Sequence, residues 1–188
     1  MRQLVTITAL LLVPALLPAA GLANCPALPD RSPRHIELME LVAKAPDEQT
    51  ARQLSNELWE IWATAPDEVS QEILNRGMQR RAAYDFVGAL SDFGKLIEYC
   101  PDYAEGYNQR AFINFIRQDY QTSLIDLDKA LERTPDHIGA AAGRALTLLQ
   151  LGRTREGQLA LRDALKLNPW LPERFQLTPV PDAAETEL

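Results

Sequence analysis

Few side chains in this sequence have the types and the spacing that catalysis requires. The two histidines, His35 and His137, lie far apart, and a Ser-His-Asp triad or a metal-bound water would need each of them to meet further partners. Asp126 and Asp128 are two positions apart on a predicted helix, so their carboxylates point in different directions. The sequence also has no glycine-rich phosphate loop. We therefore predict that the protein is not an enzyme and that it uses no metal and no cofactor.

The two cysteines, Cys25 and Cys100, are the remaining candidates for chemistry, and their state depends on the compartment. They do not form a CxxC motif, which gives little support to catalysis of thiol exchange. In an oxidising compartment an even number of cysteines favours a disulfide, and closing a loop of this length removes about 4 kcal/mol of denatured-chain entropy in the simplest treatment. We expect a Cys25–Cys100 disulfide if the chain is exported; two unrelated thiols, one of them buried, are the alternative.

The first residues of the sequence indicate export. One positive charge, Arg2, precedes an apolar run over 4–17, and small residues follow this run, which is the layout of a secretory signal peptide. Prolines interrupt the run, and it is shorter than the ~20 apolar residues of a membrane-spanning helix. We expect removal of residues 1–23, a periplasmic or secreted mature protein, and no stable membrane insertion. Lipidation of Cys25 and retention of the segment as an anchor stay open as alternatives.

The composition is that of a folded chain with an acidic balance. Hydrophobic residues make up 46% and charged residues 24% of the sequence, as in ordinary globular proteins. The formal net charge is −7, and an acidic chain repels phosphate backbones unless it carries a local basic face. Arg76, Arg80 and Arg81 form a short cluster that apolar residues interrupt. We therefore expect no nucleic-acid partner.

A fixed interval separates Pro101, Pro135 and Pro169, and it indicates that the chain is built from stacked units. No stretch between these prolines alternates as a strand would. The residue before a proline is forced out of helical geometry, so each unit is expected to end at its proline. Within a unit, a short turn joins two predicted helices at the same place of the period, at 84–86, 118–120 and 152–154.

Small and large residues recur at fixed positions of the period. The first helices carry the small residues Gly77, Ala111 and Ala145, and the second helices carry Ala89, Ser123 and Gly157, each followed by a large apolar residue. This pattern resembles the tetratricopeptide repeat family. The resemblance implies an all-α fold, an α-α superhelix of three regular repeats at about 70–103, 104–137 and 138–171. The pattern departs from the family at two positions, since arginine replaces a leucine in every unit and the early aromatic survives only as Tyr107.

The segments on either side of the three repeats are less regular. Residues 24–69 predict a degenerate helix pair of the same type, and we expect it to cover the apolar face of the first regular repeat. Trp59 and Trp62, three apart in this segment, are expected to pack in the core rather than to stack on a ligand. Residues 172–188 predict a short cap over the last repeat, followed by a disordered, proline-rich acidic tail.

The resemblance to the family also implies a function in protein binding. First helices line the concave side of such a solenoid, where similar proteins hold an extended peptide or a partner helix. The residues expected to face this groove are Asn75, Met78, Asn108, Gln109, Phe112, Phe115, Leu146 and Leu149. Phe115 and Leu149 have an alternative role in filling gaps between units. The groove lacks the lysines with which one subgroup grips the C-terminal carboxylate of a chaperone tail. A structural subunit of a cell-envelope complex and an unrecognised enzyme are the alternative functions.

The repeated arginines predict a set of structural ion pairs. An arginine that points toward packed helices is costly unless an acid meets its guanidinium. Acids precede these arginines at a nearly constant spacing, which favours pairing between successive units as Glu57–Arg76, Asp92–Arg110 and Asp126–Arg144. The competing layout pairs Arg76 with Asp92 and Arg110 with Asp126 inside one unit. It would leave the last arginine opposite Ala160, and for that reason the layout between units is the expectation.

Overall fold

The computed structural model describes residues 25–28 and 32–179. The predicted signal peptide at 1–23 and the end of the predicted tail at 180–188 lie outside the described residues. Over the described part the regular elements are helical, without a strand, which confirms the predicted all-α class. The elements are α1 (Pro33–Ala43), α2 (Glu48–Trp62), α3 (Glu68–Ala82), α4 (Phe86–Tyr99), α5 (Ala104–Ile116), α6 (Tyr120–Arg133), α7 (Ile138–Gln150), α8 (Thr154–Leu167) and a short 3-10 helix (Pro172–Gln176).

Side-chain caps fix where most of these helices begin. An aspartate precedes four of them, and its carboxylate accepts a hydrogen bond from the backbone N–H three residues later, at Asp47, Asp67, Asp85 and Asp119. These bonds satisfy N–H groups that have no partner inside the helix. Ser32 caps α1 in the same way, and Pro33 follows at a position where its missing N–H costs nothing. The starts of the helices are thus local consequences of the sequence.

The three turns inside the repeats have the same backbone geometry. Tyr84, Gln118 and Gly152 occupy equivalent places of the period, with φ angles of 60°, 63° and 74°. Glycine adopts this left-handed region freely, whereas the other two residues adopt it at a cost that the surrounding hairpin must offset. The predicted pairs α3–α4, α5–α6 and α7–α8 are therefore three copies of one helical hairpin.

Close packing within the pairs explains the small residues of the repeat. A Cβ atom on Gly77 would lie 2.5 Å from the ring of Phe93, and one on Gly157 would lie 2.7 Å from the side chain of Leu149. In the middle repeat the buried hydroxyl of Ser123 donates to the carbonyl of Ala111 at 2.9 Å. A larger side chain at these places would push the two helices of a unit apart.

The N-terminal pair, α1 and α2, corrects one of the sequence predictions, because it does not cover the first regular repeat. Its buried residues Leu38 and Leu58 belong to one apolar cluster with the last repeat, to which neither α3 nor α4 contributes a described residue. The last repeat supplies Ile138, Ala142 and Ala164 to the cluster. The chain after α8 forms only a short 3-10 helix, so the apolar end of α8 remains to be covered, and α1 covers it.

Polar contacts hold the N-terminal pair in this position. Just before α2, the carbonyl of Ala45 accepts the indole N–H of Trp170 at 2.8 Å, and at the middle of α2 the hydroxyl of Ser55 accepts the amide of Asn168 at 3.2 Å. At the other end, the hydroxyl of Tyr103 donates to the carbonyl of Trp62 at 2.6 Å. Helix α2 therefore runs from the last repeat to the start of the second one.

The ion pairs also differ from the predicted layout between units. Nε of Arg76 lies 3.0 Å from Asp92, and Arg110 holds Asp126 through two hydrogen bonds of 2.8 and 2.7 Å. Each pair lies inside its own hairpin, because the turn places the arginine of the first helix opposite the aspartate of the second. The predicted pairs Asp92–Arg110 and Asp126–Arg144 are therefore wrong.

The other two residues of the predicted ion pairs, Arg144 and Glu57, have different partners. Arg144, which faces alanine inside its own hairpin, turns to Asp128 of the preceding unit, with Nε 2.6 Å from the carboxylate. Glu57 pairs with Arg34 of α1 rather than with Arg76. Both departures follow from geometry that the spacing does not contain, the reach of an arginine side chain and the position of α1.

The segment before α1 is joined to the end of the first repeat. The sulfur atoms of Cys25 and Cys100 are bonded in the structure, with their Cα atoms 5.1 Å apart. Residues 25–28 consequently lie beside the junction of α4 and α5. Among the described helices, none combines the length and the apolar character that crossing a bilayer requires.

Candidate partner-binding groove

A cavity of about 370 Å³ lies on the side of the molecule formed by the first helices α5 and α7. Trp59 of α2 forms part of its wall, and the segment Leu171–Glu173 forms another part. Five of the residues predicted to face the groove line this cavity, namely Asn108, Gln109, Phe112, Phe115 and Leu146. Phe112 is 48% exposed, an unusual state for an aromatic side chain that has apolar neighbours. The predicted groove therefore exists as a bounded cavity, and ligand binding by these residues stays a prediction.

The other three predicted groove residues lie elsewhere. Asn75 is exposed and accepts a hydrogen bond from Gln71 at 3.1 Å. Met78 is partly buried against the apolar cluster of the first repeat. Leu149 packs at the crossing with Gly157 inside the last hairpin, within one unit rather than between neighbouring units. The lining is thus concentrated on the second and third repeats.

The wall provided by α2 is the part of the site that sequence reasoning missed. Trp59 was expected in the core, but its side chain is 41% exposed and lines the cavity, so that prediction is wrong. The expectation holds for Trp62, which is partly buried against the cluster shared with the last repeat. The amphipathic spacing of α2 was visible in the sequence, but the element that it packs against was not, since that contact joins residues more than a hundred positions apart.

A buried polar network joins the helices beneath the cavity. The carboxylate of Glu105 on α5 is fully enclosed, and it accepts hydrogen bonds from Asn108 at 3.0 Å and from Gln109. It is also 2.8 Å from Nε2 of His137. The other ring nitrogen of this histidine accepts the backbone N–H of Ala140 and so caps α7. The network thereby fixes the positions of α5 and α7 relative to each other.

Arg81 is the cation of the cavity wall. Its guanidinium donates to the amide oxygen of Gln109 and lies 5.3 Å from the centre of the Phe112 ring. Burial lowers the pKa of Arg81, and the negative charge of Glu105 opposes this shift. Nearby, burial and then the charge of Glu105 raise the pKa of Tyr103 above its usual value. The region beneath the cavity is therefore a poorly solvated one in which charges interact strongly.

A second cavity, of about 550 Å³, brings together the two histidines that the sequence leaves far apart. Both rings contact Trp62: His137 stacks on it at 4.3 Å between ring centres, and His35 meets it edge-on at 5.9 Å. Both nitrogens of His137 are engaged in the hydrogen bonds described above, so this ring has a structural role. Among the described residues there is no group of three or more side chains that would suit a metal ion.

The stacked hairpins and the cavity on their inner side define the class of the protein, a helical repeat protein with a groove. No protein-family model matches the chain. It is 46% identical over 70 residues to a protein of Nematostella vectensis named tetratricopeptide repeat protein 36 homolog, a match that covers 37% of this chain. It is 28% identical over 145 residues, 74% of the chain, to a TPR repeat-containing protein of Rhizobium etli. The chain spans 38% and 63% of the length of these two relatives.

Solved structures give the same answer for the fold. The TPR domain of Arabidopsis OM64 matches with a TM-score of 0.54 and 22% identity, over 56% of this chain and 87% of that domain. The TPR2B domain of yeast Sti1, in a complex with pHsp70, matches with a TM-score of 0.53 and 18% identity, over 57% of this chain and 88% of the other. The chain therefore has the fold of tetratricopeptide repeat domains and resembles proteins of that family, as its spacing predicted.

Proposed function

We propose that this protein is an interaction module that binds a peptide or a partner protein in the cavity between α2, α5 and α7. The observation that carries the proposal is the exposed Phe112 in a concave apolar wall, beside amide groups that hydrogen-bond a backbone without demanding a particular side chain. The Sti1 domain of the same fold was solved as a complex with pHsp70, which fits a role in protein binding. The absence of a lysine from the cavity wall argues against the same kind of partner.

The proposal includes export to an oxidising compartment. The apolar run at 4–17 and the paired cysteines support it, since a disulfide persists outside the cytosol. In this proposal the mature chain begins after residue 23 and works in the periplasm or outside the cell. The intact mass of the secreted protein, measured after alkylation with and without reductant, tests both points; two alkylated thiols in the unreduced sample would refute the disulfide.

The groove is tested by capture of partners with a wild-type chain and a variant. Phe112→Ala removes the exposed ring without touching the buried network, so capture of a stoichiometric partner is expected to fall about tenfold or more, as for an aromatic anchor at an interface. Ile116→Ala is the matched control, because Ile116 is 42% exposed on the same helix and does not line the cavity. Equal capture by both variants and the wild type would place the binding site elsewhere.

A further inference from the structure

Arg81 differs from the repeated arginines of the first helices. Arg76, Arg110 and Arg144 each lie against a carboxylate. Arg81 has no ion pair within 4.0 Å among the described residues, and its one described hydrogen bond goes to a neutral amide oxygen. A partly buried cation without a carboxylate is costly, so this arrangement needs an explanation.

Glu105, whose charge acts on Arg81, does not supply the missing partner. Glu105 lies close enough for its charge to act on Arg81, but its oxygens already accept hydrogen bonds from Asn108 and Gln109 and meet the ring of His137. Gln109 stands between the two charges, since it donates to Glu105 and accepts from Arg81. A guanidinium has five donors, and most of those on Arg81 therefore remain for a group that enters the cavity.

The cavity wall also contains a hydrogen-bond acceptor without a donor. Oε2 of Glu173 is buried, and no hydrogen bond reaches it. The same wall also has large apolar side chains, among them Trp59, Phe112 and Leu146. A ligand that satisfies the wall therefore needs a carboxylate, an N–H donor and a large apolar group.

We propose that the cavity binds an internal segment of a partner protein in which an acidic residue adjoins a large apolar one, with the acidic side chain on Arg81. This inference rests on the proposed function and names the partner chemistry of the same site. A peptide segment fits better than a free amphiphilic acid, because its backbone N–H groups supply the donor that Glu173 lacks. The volume of about 370 Å³ admits one or two side chains rather than a long extended peptide.

The charge pairing is tested with two short peptides that differ in one group. The probes are acetyl-Gly-Asp-Phe-Ala-Gly-amide and the same peptide with Asn in place of Asp, so that the side chain carries the only charge. Calorimetric titration of the full exported chain is expected to give about tenfold or more tighter binding of the acidic probe, as for a hydrogen bond to a charged group. With Arg81→Gln the two probes should bind alike.

Arg117→Gln is the matched control, since Arg117 is exposed at the end of α5 and lies outside the cavity. It makes the same change of charge, so it should leave the preference for the acidic probe intact. The ratio of affinities within each protein isolates the contact from general damage to the fold.

Three results would overturn the inference: equal binding of the two probes to the wild type, an undiminished preference in Arg81→Gln, or no binding of either probe. Binding that appears only after deletion of residues 180–188 would assign the cavity to the chain's own acidic end and would overturn it as well. A different result would refute the proposed function: equal capture of the natural partner by Phe112→Ala and the wild type.

Discussion

The pairing of Arg110 with Asp126 makes a quantitative prediction about stability. Asp126 is 1% exposed and accepts two hydrogen bonds from Arg110, whose side chain is 27% exposed. The hydrogen bond to Asp126 raises the pKa of Arg110, against the opposing effect of burial. Asp126→Ala leaves this guanidinium with only partial access to water, so the cost should fall a little below that of a fully buried broken pair, at about 2–3 kcal/mol.

Urea unfolding followed by far-UV circular dichroism measures this cost. With a slope of about 2 kcal/mol per molar urea, the midpoint of Asp126→Ala should fall by about 1–1.5 M. Asp128→Ala is the control two residues away: this carboxylate is 46% exposed and makes one hydrogen bond, to Arg144, so its removal should cost at most about 1 kcal/mol.

A double-mutant cycle identifies the partner of the buried carboxylate. Asp126→Ala combined with Arg110→Ala should show a coupling energy of about 1 kcal/mol or more, and the combination with Arg144→Ala should be additive. Similar midpoints for Asp126→Ala and Asp128→Ala, or coupling to Arg144 instead of Arg110, would refute the pairing inside one hairpin.

Two further predictions concern packing and the disulfide. Gly77→Ala should destabilise the chain by about 1–3 kcal/mol in urea unfolding, because the new Cβ would overlap the Phe93 ring. The control, Gly94→Ala in the open part of α4, should stabilise the chain by up to about 1 kcal/mol. Destabilisation of equal size in both variants would contradict the packing account. Reduction of the Cys25–Cys100 bond, which closes a loop of 75 residues, should lower the stability by up to about 4 kcal/mol, and an unchanged urea midpoint in reductant would show that the bond constrains nothing.

The parts of the fold that the sequence predicts are the local ones. The fixed interval of Pro101, Pro135 and Pro169 and the small residues at helix crossings act over a few turns of chain, and the structure has the predicted helices and turns at these places. Five of the cavity residues follow from the resemblance to the family, whose geometry implies which face of each first helix points inward.

The parts that the sequence does not predict depend on contacts between distant elements. An apolar stripe on α1 and α2 requires some partner, but it is equally compatible with the first repeat and with the last one. The same limit applies to the arginines: a spacing of 16 or of 18 residues brings an acid near Arg110, and only the geometry of the hairpin chooses Asp126. Arg81 could not be identified as an arginine without a carboxylate partner before the positions of Glu105 and Gln109 were known.

The position of α2 changes what the repeats are able to bind. In an open array each unit contacts its neighbours alone, and the inner groove runs along all of them. Here a helix of 15 residues, about 22 Å long, joins the last repeat to the second one and supplies Trp59 to the wall of the cavity. A ligand in this cavity contacts α2 together with α5 and α7, so its binding energy also favours the docked position of the N-terminal pair. In the proposed function, partner binding is therefore thermodynamically linked to docking of the N-terminal pair, and a substitution that populates the undocked state lowers the apparent affinity in proportion to the docked fraction that is lost.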